Sequence, residues 1–372
     1  MQNQWVKNDS MNMTNKQNEA EKTLLVVSRA LIVIIILFIV VTGIFIGLLV
    51  DSGSDRLADR SGATASPAVS SQTISSSMQV NTERTLSTAL WEAPNESSLH
   101  EGSLRDAILY GKELIAHTAK YLGPRGEVAA ISNGMNCQNC HLDAGTKPWG
   151  NNYSAVYSTY PKFRARSGTN ETIEKRINDC LERSLNGKPL ENTSKEMRAM
   201  IAYMKWLGAG VEKGKQPNGS GLKKLSYLLR AANPQKGAAV YSAKCASCHG
   251  NNGEGISIAG QAEFTFPPLW GKNSYNDGAG LYRISNFAAY VRYNMPLGVN
   301  HENPQLSEEE SWDVAAYVNS QSRPHKDQSG DWKDTSKKPI DFPFGPYTDK
   351  FTTDEHKFGP FEAITSFYKK VQ

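Results

Sequence analysis

Two copies of one cysteine and histidine motif are the residues of this sequence best suited to carry out chemistry. The pattern Cys-x-x-Cys-His occurs at residues 137–141 and again at residues 245–249. In such a pattern the two thiols form thioether bonds to the vinyl groups of a porphyrin, and the adjoining histidine binds its iron. We therefore predict two covalently bound haem c groups, attached through Cys137, Cys140, Cys245 and Cys248.

A zinc site and a dithiol redox centre are the alternative interpretations of this motif. Zinc requires four ligands in each site, and a dithiol centre needs no histidine after its second cysteine. Neither alternative accounts for the complete motif in both copies. We expect His141 and His249 to be the proximal iron ligands.

An internal repeat relates the two halves of the chain. Thr193 and Ser307 each begin a capping-box pattern, Thr/Ser-x-x-Glu, which is typical of a helix N-terminus. Each predicted helix then contains Ala-Tyr followed by an apolar residue, with the tyrosines at Tyr203 and Tyr317. Both pairs are 114 positions apart, which indicates that one fold occurs twice.

The repeat also indicates the distal iron ligands. Met295 lies twelve residues before Ser307, and Cys180, the one cysteine outside the motifs, lies thirteen before Thr193. Small c-type cytochromes take their sixth ligand, a methionine sulfur, from a loop between the attachment motif and a closing helix. Taken alone, either side chain would more often be a core residue. Their matched positions predict that Cys180 and Met295 are distal ligands.

The two predicted ligand sets differ in their effect on the iron. A thiolate favours ferric iron and a methionine sulfur favours ferrous iron, so electrons would pass from the first haem to the second. The sulfur of Cys180 could also leave the iron and form a transient S–S bond with a sulfur substrate.

Basic side chains surround Cys180 in the sequence. A forked guanidinium is well suited to binding an oxyanion, and nearby cations would favour the thiolate of Cys180. Any one of these residues alone would more often lie on a solvated helix face. The group comprises Arg164, Arg166, Lys175, Arg176 and Arg183.

These segments resemble the dihaem c-type thiosulfate dehydrogenase family, whose members couple two thiosulfate ions into tetrathionate. The resemblance runs from about Trp91 to Phe361. The matching segments are NCQNCH at 136–141, RINDCLERSLNGKPL at 176–190, KCASCHG at 244–250, NMPLG at 294–298 and the tail between 338 and 361.

The resemblance implies residue roles. It implies that His141 and Cys180 ligate the catalytic haem and that Arg166 and Arg176 bind the substrate. It also implies that some members act mainly as tetrathionate reductases. Certain relatives carry a lysine just before the distal methionine and exchange the two ligands with redox state, whereas this chain has Asn294. We therefore expect Met295 to remain the ligand in both oxidation states.

The beginning of the chain predicts a membrane anchor. Residues 31–50 contain no charged side chain, and a stretch of this length is long enough for one transmembrane helix. Four basic residues precede this stretch and Asp51 follows it, so the remainder would lie outside the bacterial inner membrane, in the periplasm. A cleaved signal peptide ending near Ala65 is the alternative. The formal net charge of +4 is too small to indicate a nucleic acid partner.

We predict an all-α protein with two tandem class I cytochrome c-like domains, preceded by one transmembrane helix and a flexible linker. The predicted tail packs on both domains without regular structure. The predicted ranges are 1–29 for a cytoplasmic segment, 30–50 for the anchor, 51–90 for the linker, 91–215 and 216–325 for the two domains, and 326–372 for the tail.

The predicted function is oxidation of two thiosulfate ions to tetrathionate, possible in both directions, with an electron-accepting cytochrome c or a membrane oxidase as partner. Two alternatives remain. One is a membrane-tethered dihaem electron carrier, and the other is a Cys-ligated haem subunit of a thiosulfate-oxidising multienzyme system.

Overall fold

A computed structural model of the chain describes residues 89–257, residue 260 and residues 263–371. The predicted anchor at 30–50 and nearly all of the predicted linker lie outside the described residues. Within that part of the chain, no helix is long and apolar enough to cross a membrane.

The described chain is mainly helical. Its helices are α1 (Ser103–Ala116), α2 (Thr118–Leu122), α3 (Leu142–Gly145), α4 (Val156–Thr159), α5 (Ile173–Arg183), α6 (Lys195–Leu207), α7 (Pro234–Lys244), α8 (Ala246–His249), α9 (Ile284–Asn294), α10 (Glu308–Ser320), α11 (Thr353–Phe358) and α12 (Phe361–Val371). Two short antiparallel hairpins pair β1 (Lys162–Arg164) with β2 (Thr169–Glu171) and β3 (Ile256–Ser257) with β4 (Phe264–Phe266).

The first hydrophobic core forms where α1 crosses α6. Gly111 of α1 lies so close to α6 that an added Cβ would come within 3.0 Å of the Ala199 carbonyl and of the Tyr203 side chain. The crossing therefore depends on a residue without a side chain. Leu114, Met197 and Met200 are almost completely buried beside it.

The second core repeats this crossing with α7 and α10. An added Cβ on Gly237 would come within 3.0 Å of the Asp313 carbonyl and of the Tyr317 side chain. Tyr203 and Tyr317 thus have the same position against a glycine of the partner helix. This agreement confirms the repeat that the sequence predicts.

The helix caps agree with the sequence only in the second copy. Ser307 and Glu310 form a capping box at the start of α10. In the first copy the N-cap is Ser194, whose hydroxyl accepts from the Met197 N–H at 3.1 Å, so the prediction of Thr193 was wrong by one residue. The Glu196 carboxylate instead accepts a hydrogen bond of 3.0 Å from the Tyr110 hydroxyl.

The region after residue 326 is not irregular throughout, so that expectation was wrong. It contains α11 and α12, because Thr352 and Glu355 form a capping box and an apolar face follows. Phe361 is buried against Trp312 of the second core, with ring centroids 5.8 Å apart. Earlier in the tail, the Trp332 N–H donates to the Arg166 carbonyl at 2.7 Å.

Candidate functional site

Both predicted proximal histidines have the same hydrogen bond on the ring nitrogen that would face away from an iron. Nδ1 of His141 lies 2.6 Å from the carbonyl oxygen of Asn151, and Nδ1 of His249 lies 2.8 Å from that of Pro267. A carbonyl partner at Nδ1 fixes the tautomer and leaves Nε2 as the lone-pair donor, as in metal-bound histidines. Burial lowers the pKa of His249, which favours the neutral, metal-binding form.

The second motif opens into an apolar cavity of about 470 Å³. His249 and Met295 both line this cavity, together with the thiols of Cys245 and Cys248. These residues fit a haem attached at one edge, with a nitrogen and a sulfur available for its iron. The apolar walls include Leu269, Phe287, Val291, Leu306, Val314 and Val318.

The first motif places its thiols beside Cys180. Cys137, Cys140 and His141 line one narrow cavity with Cys180, which lies near the C-terminal end of α5. The His141 side chain acts on the Cys180 thiol and lowers its pKa. This arrangement fits a haem whose iron takes one ligand from each residue.

The thiol of Cys180 is more acidic than the attachment thiols. Burial raises the pKa of Cys137 and that of Cys140 to about 12. Burial also raises the pKa of Cys180, but the positive charge of Arg176 and the hydrogen bond from His141 lower it overall to about 7. The surroundings therefore favour a thiolate at Cys180 and the protonated thiol at Cys137 and Cys140.

A second cavity, of about 610 Å³, adjoins Cys180 and His141. Five basic side chains line it, and Asp179 is the only acidic residue among its described lining. Three of the basic residues come from the first half of the chain, and two come from the second half. They are Arg166, Arg176, Arg183, Lys224 and Arg283.

Carboxylates hold two of these arginines in place. Arg166 donates to Asp179 at 2.6 Å, and Arg183 donates to Asp331 of the tail at 2.8 Å. Within the described residues, Arg176 forms no ion pair with a carboxylate, and the neighbouring Cys180 raises its pKa. Arg176 is thus the arginine whose charge acts directly on the thiol.

Comparison with known proteins identifies the family. The SoxA/TsdA cytochrome c domain matches residues 127–212, and the cytochrome c domain matches residues 234–322. The thiosulfate dehydrogenase of Allochromatium vinosum is 35% identical over 265 residues, which cover 70% of this chain and 94% of that protein. The chain belongs to the thiosulfate dehydrogenase family. The resemblance seen in the sequence is therefore confirmed.

Further members show similar agreement. The thiosulfate dehydrogenase of Stutzerimonas stutzeri is 34% identical over 63% of this chain and 73% of that protein. The solved thiosulfate dehydrogenase (TsdBA) from Marichromatium purpuratum matches with a TM-score of 0.59 and 34% identity, over 64% of this chain. The match spans half of the TsdBA chain.

Membership of the thiosulfate dehydrogenase family confirms the tandem cytochrome c fold and two covalently bound haem c groups. The two short hairpins are the described departures from an all-α chain. We refer to residues 127–212 and 234–322 as the first and second cytochrome c domains. Among the described residues, no group of three or more His, Cys, Asp or Glu side chains is placed to bind a metal ion.

The structure brings together three of the five basic residues that the sequence singled out near Cys180. The exceptions are Lys175, which is 52% exposed and pairs with Asp179, and Arg164, which lies 4.0 Å from Glu171. Sequence reasoning missed Lys224, Arg283 and Asp331. No spacing rule relates these residues to Cys180, so only the packing of the two halves reveals them.

Proposed function

We propose that this protein is a thiosulfate dehydrogenase that joins two thiosulfate ions into tetrathionate, and that the reaction can run in either direction. The observation that carries the proposal is the position of Cys180. Its side chain lines both the narrow cavity that contains His141 and the larger basic cavity. A small dianion in the basic cavity would therefore meet a sulfur atom next to the haem position.

The proposed ligand sets follow from the two cavities. Cys137 and Cys140 would hold the first haem covalently, and His141 and Cys180 would bind its iron. Cys245 and Cys248 would hold the second haem, and His249 and Met295 would bind its iron. When bound, the two haems supply acceptors for the two electrons, which leave through the second haem.

The sulfur of Cys180 would form the bond that is central to the reaction. Its thiolate and the terminal sulfur of one thiosulfate join in an S–S bond, and two electrons are released. The terminal sulfur of a second thiosulfate then attacks the thiosulfate-derived sulfur of this bond and displaces the Cys180 thiolate. Tetrathionate forms, and the cysteine returns to its starting state.

The arginines would bind the sulfonate oxygens and stabilise the thiolate. Arg176 lies beside Cys180 without a carboxylate partner among the described residues, so its charge is available to the sulfur and to the substrate. Arg166 is held by Asp179, so its guanidinium enters the cavity in a fixed direction. A forked donor fixed in this way suits an oxyanion.

Anaerobic mixing of the purified protein with thiosulfate and an electron acceptor tests the proposal. We expect tetrathionate to form, and we expect Cys180→Gly to form none while small donors still reduce it rapidly. Turnover retained by Cys180→Gly would leave a dihaem electron carrier as the better interpretation. Turnover that requires an added carrier protein would favour a subunit of a multienzyme system.

The location is proposed from the sequence. Residues 30–50 would anchor the chain in the bacterial inner membrane, so that the catalytic domains lie in the periplasm near a cytochrome c or a membrane oxidase. Cell fractionation tests this location. It compares the full chain with a variant in which a cleaved signal peptide replaces the segment that contains residues 31–50. Recovery of the full chain in the soluble periplasmic fraction would contradict the anchor.

A further inference from the structure

A five-residue loop of the first cytochrome c domain touches the surroundings of both proposed haems. The carbonyl oxygen of Asn151 lies 2.6 Å from Nδ1 of His141. The carbonyl oxygen of Trp149 accepts from the Asn294 side-chain amide at 3.1 Å. The ammonium of Lys147 donates to the Val299 carbonyl at 2.8 Å. The loop 147–151 therefore joins the proximal side of one haem position to the distal side of the other.

The two contacts in the second domain bracket Met295. Asn294 is the residue before it, and Val299 lies four residues after it. Asn294 is only 2% exposed, and its amide also donates to the Tyr290 carbonyl at 3.2 Å. The side chain of the residue before Met295 and the backbone four residues after it are thus held by hydrogen bonds to the loop 147–151.

A third contact strengthens the same connection. The hydroxyl of Tyr290, on α9 one turn before Asn294, donates to the carbonyl of Asn139 at 2.7 Å. Asn139 lies inside the first haem attachment motif. Helix α9, which ends one residue before Met295, is therefore fixed to the first domain at two successive turns.

The loop 147–151 has the properties of a rigid support. Trp149 and Asn151 have φ angles of 57° and 61°, a left-handed conformation that is uncommon for residues other than glycine and costly for a bulky side chain such as Trp149. Their N–H groups donate to the carbonyls of Gly219 at 2.7 Å and Gly221 at 2.9 Å. Trp149 and Asn151 are therefore each held at both the N–H and the carbonyl.

We infer that Lys147, Trp149 and Asn294 position Met295, so that the first domain holds the sixth ligand of the second haem. The inference rests on the ligand set proposed above. A methionine side chain has three rotatable bonds and finds its place through its surroundings. Holding the Asn294 side chain and the Val299 carbonyl limits where the sulfur between them can lie, and the strength of its bond to iron sets the potential of that haem. Asn294 therefore acts through Met295 as a positioning residue.

The test uses the full-length oxidised holoprotein and two spectroscopic readouts. One is the sulfur-to-iron charge-transfer band of the second haem, and the other is its potential in a redox titration. We expect Lys147→Met and Asn294→Leu to weaken the band. We expect each to change the ferric-to-ferrous ratio about tenfold in favour of ferric iron, equivalent to a potential lower by about 59 mV.

Two controls separate positioning from charge. Lys147→Arg keeps a donor to the Val299 carbonyl and should behave as the wild type does. Lys236→Met removes an exposed lysine of α7 and should leave the band and the potential unchanged. Because Asn294→Leu does not alter the net charge, a shift shared by both test variants cannot come from loss of a cation.

A wild-type band and potential in folded Asn294→Leu would overturn the inference, even if Lys147→Met failed to fold. A wild-type ferric protein without the band would overturn the ligation by Met295 itself, and the inference with it. A protein that shows the band but forms no tetrathionate would contradict the proposed function alone. The three results are therefore distinguishable.

Discussion

Arg183 and Asp331 form an ion pair of 2.8 Å between side chains that are 148 positions apart in the sequence. Each side chain is only 11% exposed. The next residue, Trp332, donates its N–H to the Arg166 carbonyl at 2.7 Å. The C-terminal tail therefore supports two of the arginines that line the basic cavity beside Cys180.

Replacing Asp331 with asparagine should weaken thiosulfate binding. The Arg183 guanidinium would lose its charged partner and its fixed direction, and an unpaired buried charge is unfavourable. We expect KM to rise about tenfold, equivalent to ~1.4 kcal/mol, with a smaller change in kcat. Anaerobic steady-state kinetics would measure both constants.

Asp334→Asn is the matched control for this prediction. Asp334 belongs to the same tail, but its ion pair with Lys337 is about half exposed on both sides. Exposed pairs contribute little, so this variant should keep the wild-type KM. Equal KM values for the two variants would show that Asp331 has no role in binding.

The two glycine crossings should be intolerant of a methyl group. Gly111→Ala and Gly237→Ala each place a Cβ within 3.0 Å of a backbone carbonyl oxygen. Alanine favours a helix by about 1 kcal/mol, but overpacking typically costs about 1–3 kcal/mol, and backbone cannot move aside easily. We expect a net loss of stability in denaturant unfolding of the holoprotein.

Gly210→Ala serves as the control for the crossings. An added Cβ at this position would meet no heavy atom within 4 Å. It should therefore leave the unfolding midpoint nearly unchanged. If Gly111→Ala and Gly237→Ala are as stable as this control, the two helix crossings do not require glycine.

The first-copy cap can be assigned by mutation. Ser194→Ala removes the acceptor for the Met197 N–H and should cost about 1 kcal/mol. Thr193→Ala removes no cap and should cost less than about 0.5 kcal/mol. The free energies of unfolding of the two variants decide between the positions, and the reverse order would restore Thr193 as the cap.

The tail should loosen in acid because of Asp349. Burial raises the pKa of this carboxyl, but hydrogen bonds from Tyr368, from the Phe351 N–H and from His356 lower it overall. A carboxyl whose pKa is depressed in the folded protein stabilises the fold at any pH above its pKa in the unfolded chain, which is about 3.9. This stabilisation is lost as the pH falls through the lower pKa of the folded protein.

Hydrogen exchange across residues 353–371 would follow this acid loosening. Exchange in α11 and α12 should speed up as the pH falls through the range below about 4, after correction for the intrinsic rate. Asp349→Asn should remove most of that dependence, whereas Asp354→Asn, at an exposed position of α11, should retain it. A dependence identical in both variants would assign the effect to another group.

Local patterns in the sequence predicted much of the architecture. The two attachment motifs and the capping box at Ser307 depend on neighbouring residues, and the repeat is visible because such short patterns recur in both halves. Details that depend on packing were less accurate. The first-copy cap predicted at Thr193 lies at Ser194. Helices α1 and α2 are separated at His117, whose φ of −125° is not helical and whose Nδ1 lies 3.0 Å from Glu263 of the second half.

By itself, the sequence determined that the chain carries two haem attachment motifs, a repeated fold and one spare cysteine among basic residues, because covalent attachment and helix periodicity depend on short spacings. Only the tertiary structure decided which charges surround that cysteine. Lys224 and Arg283 reach its cavity from the second half, Asp331 of the tail pairs with Arg183 in the cavity wall, and the loop 147–151 reaches the flanks of Met295. Such contacts depend on how two packed cores and a tail fit together, which no local spacing specifies.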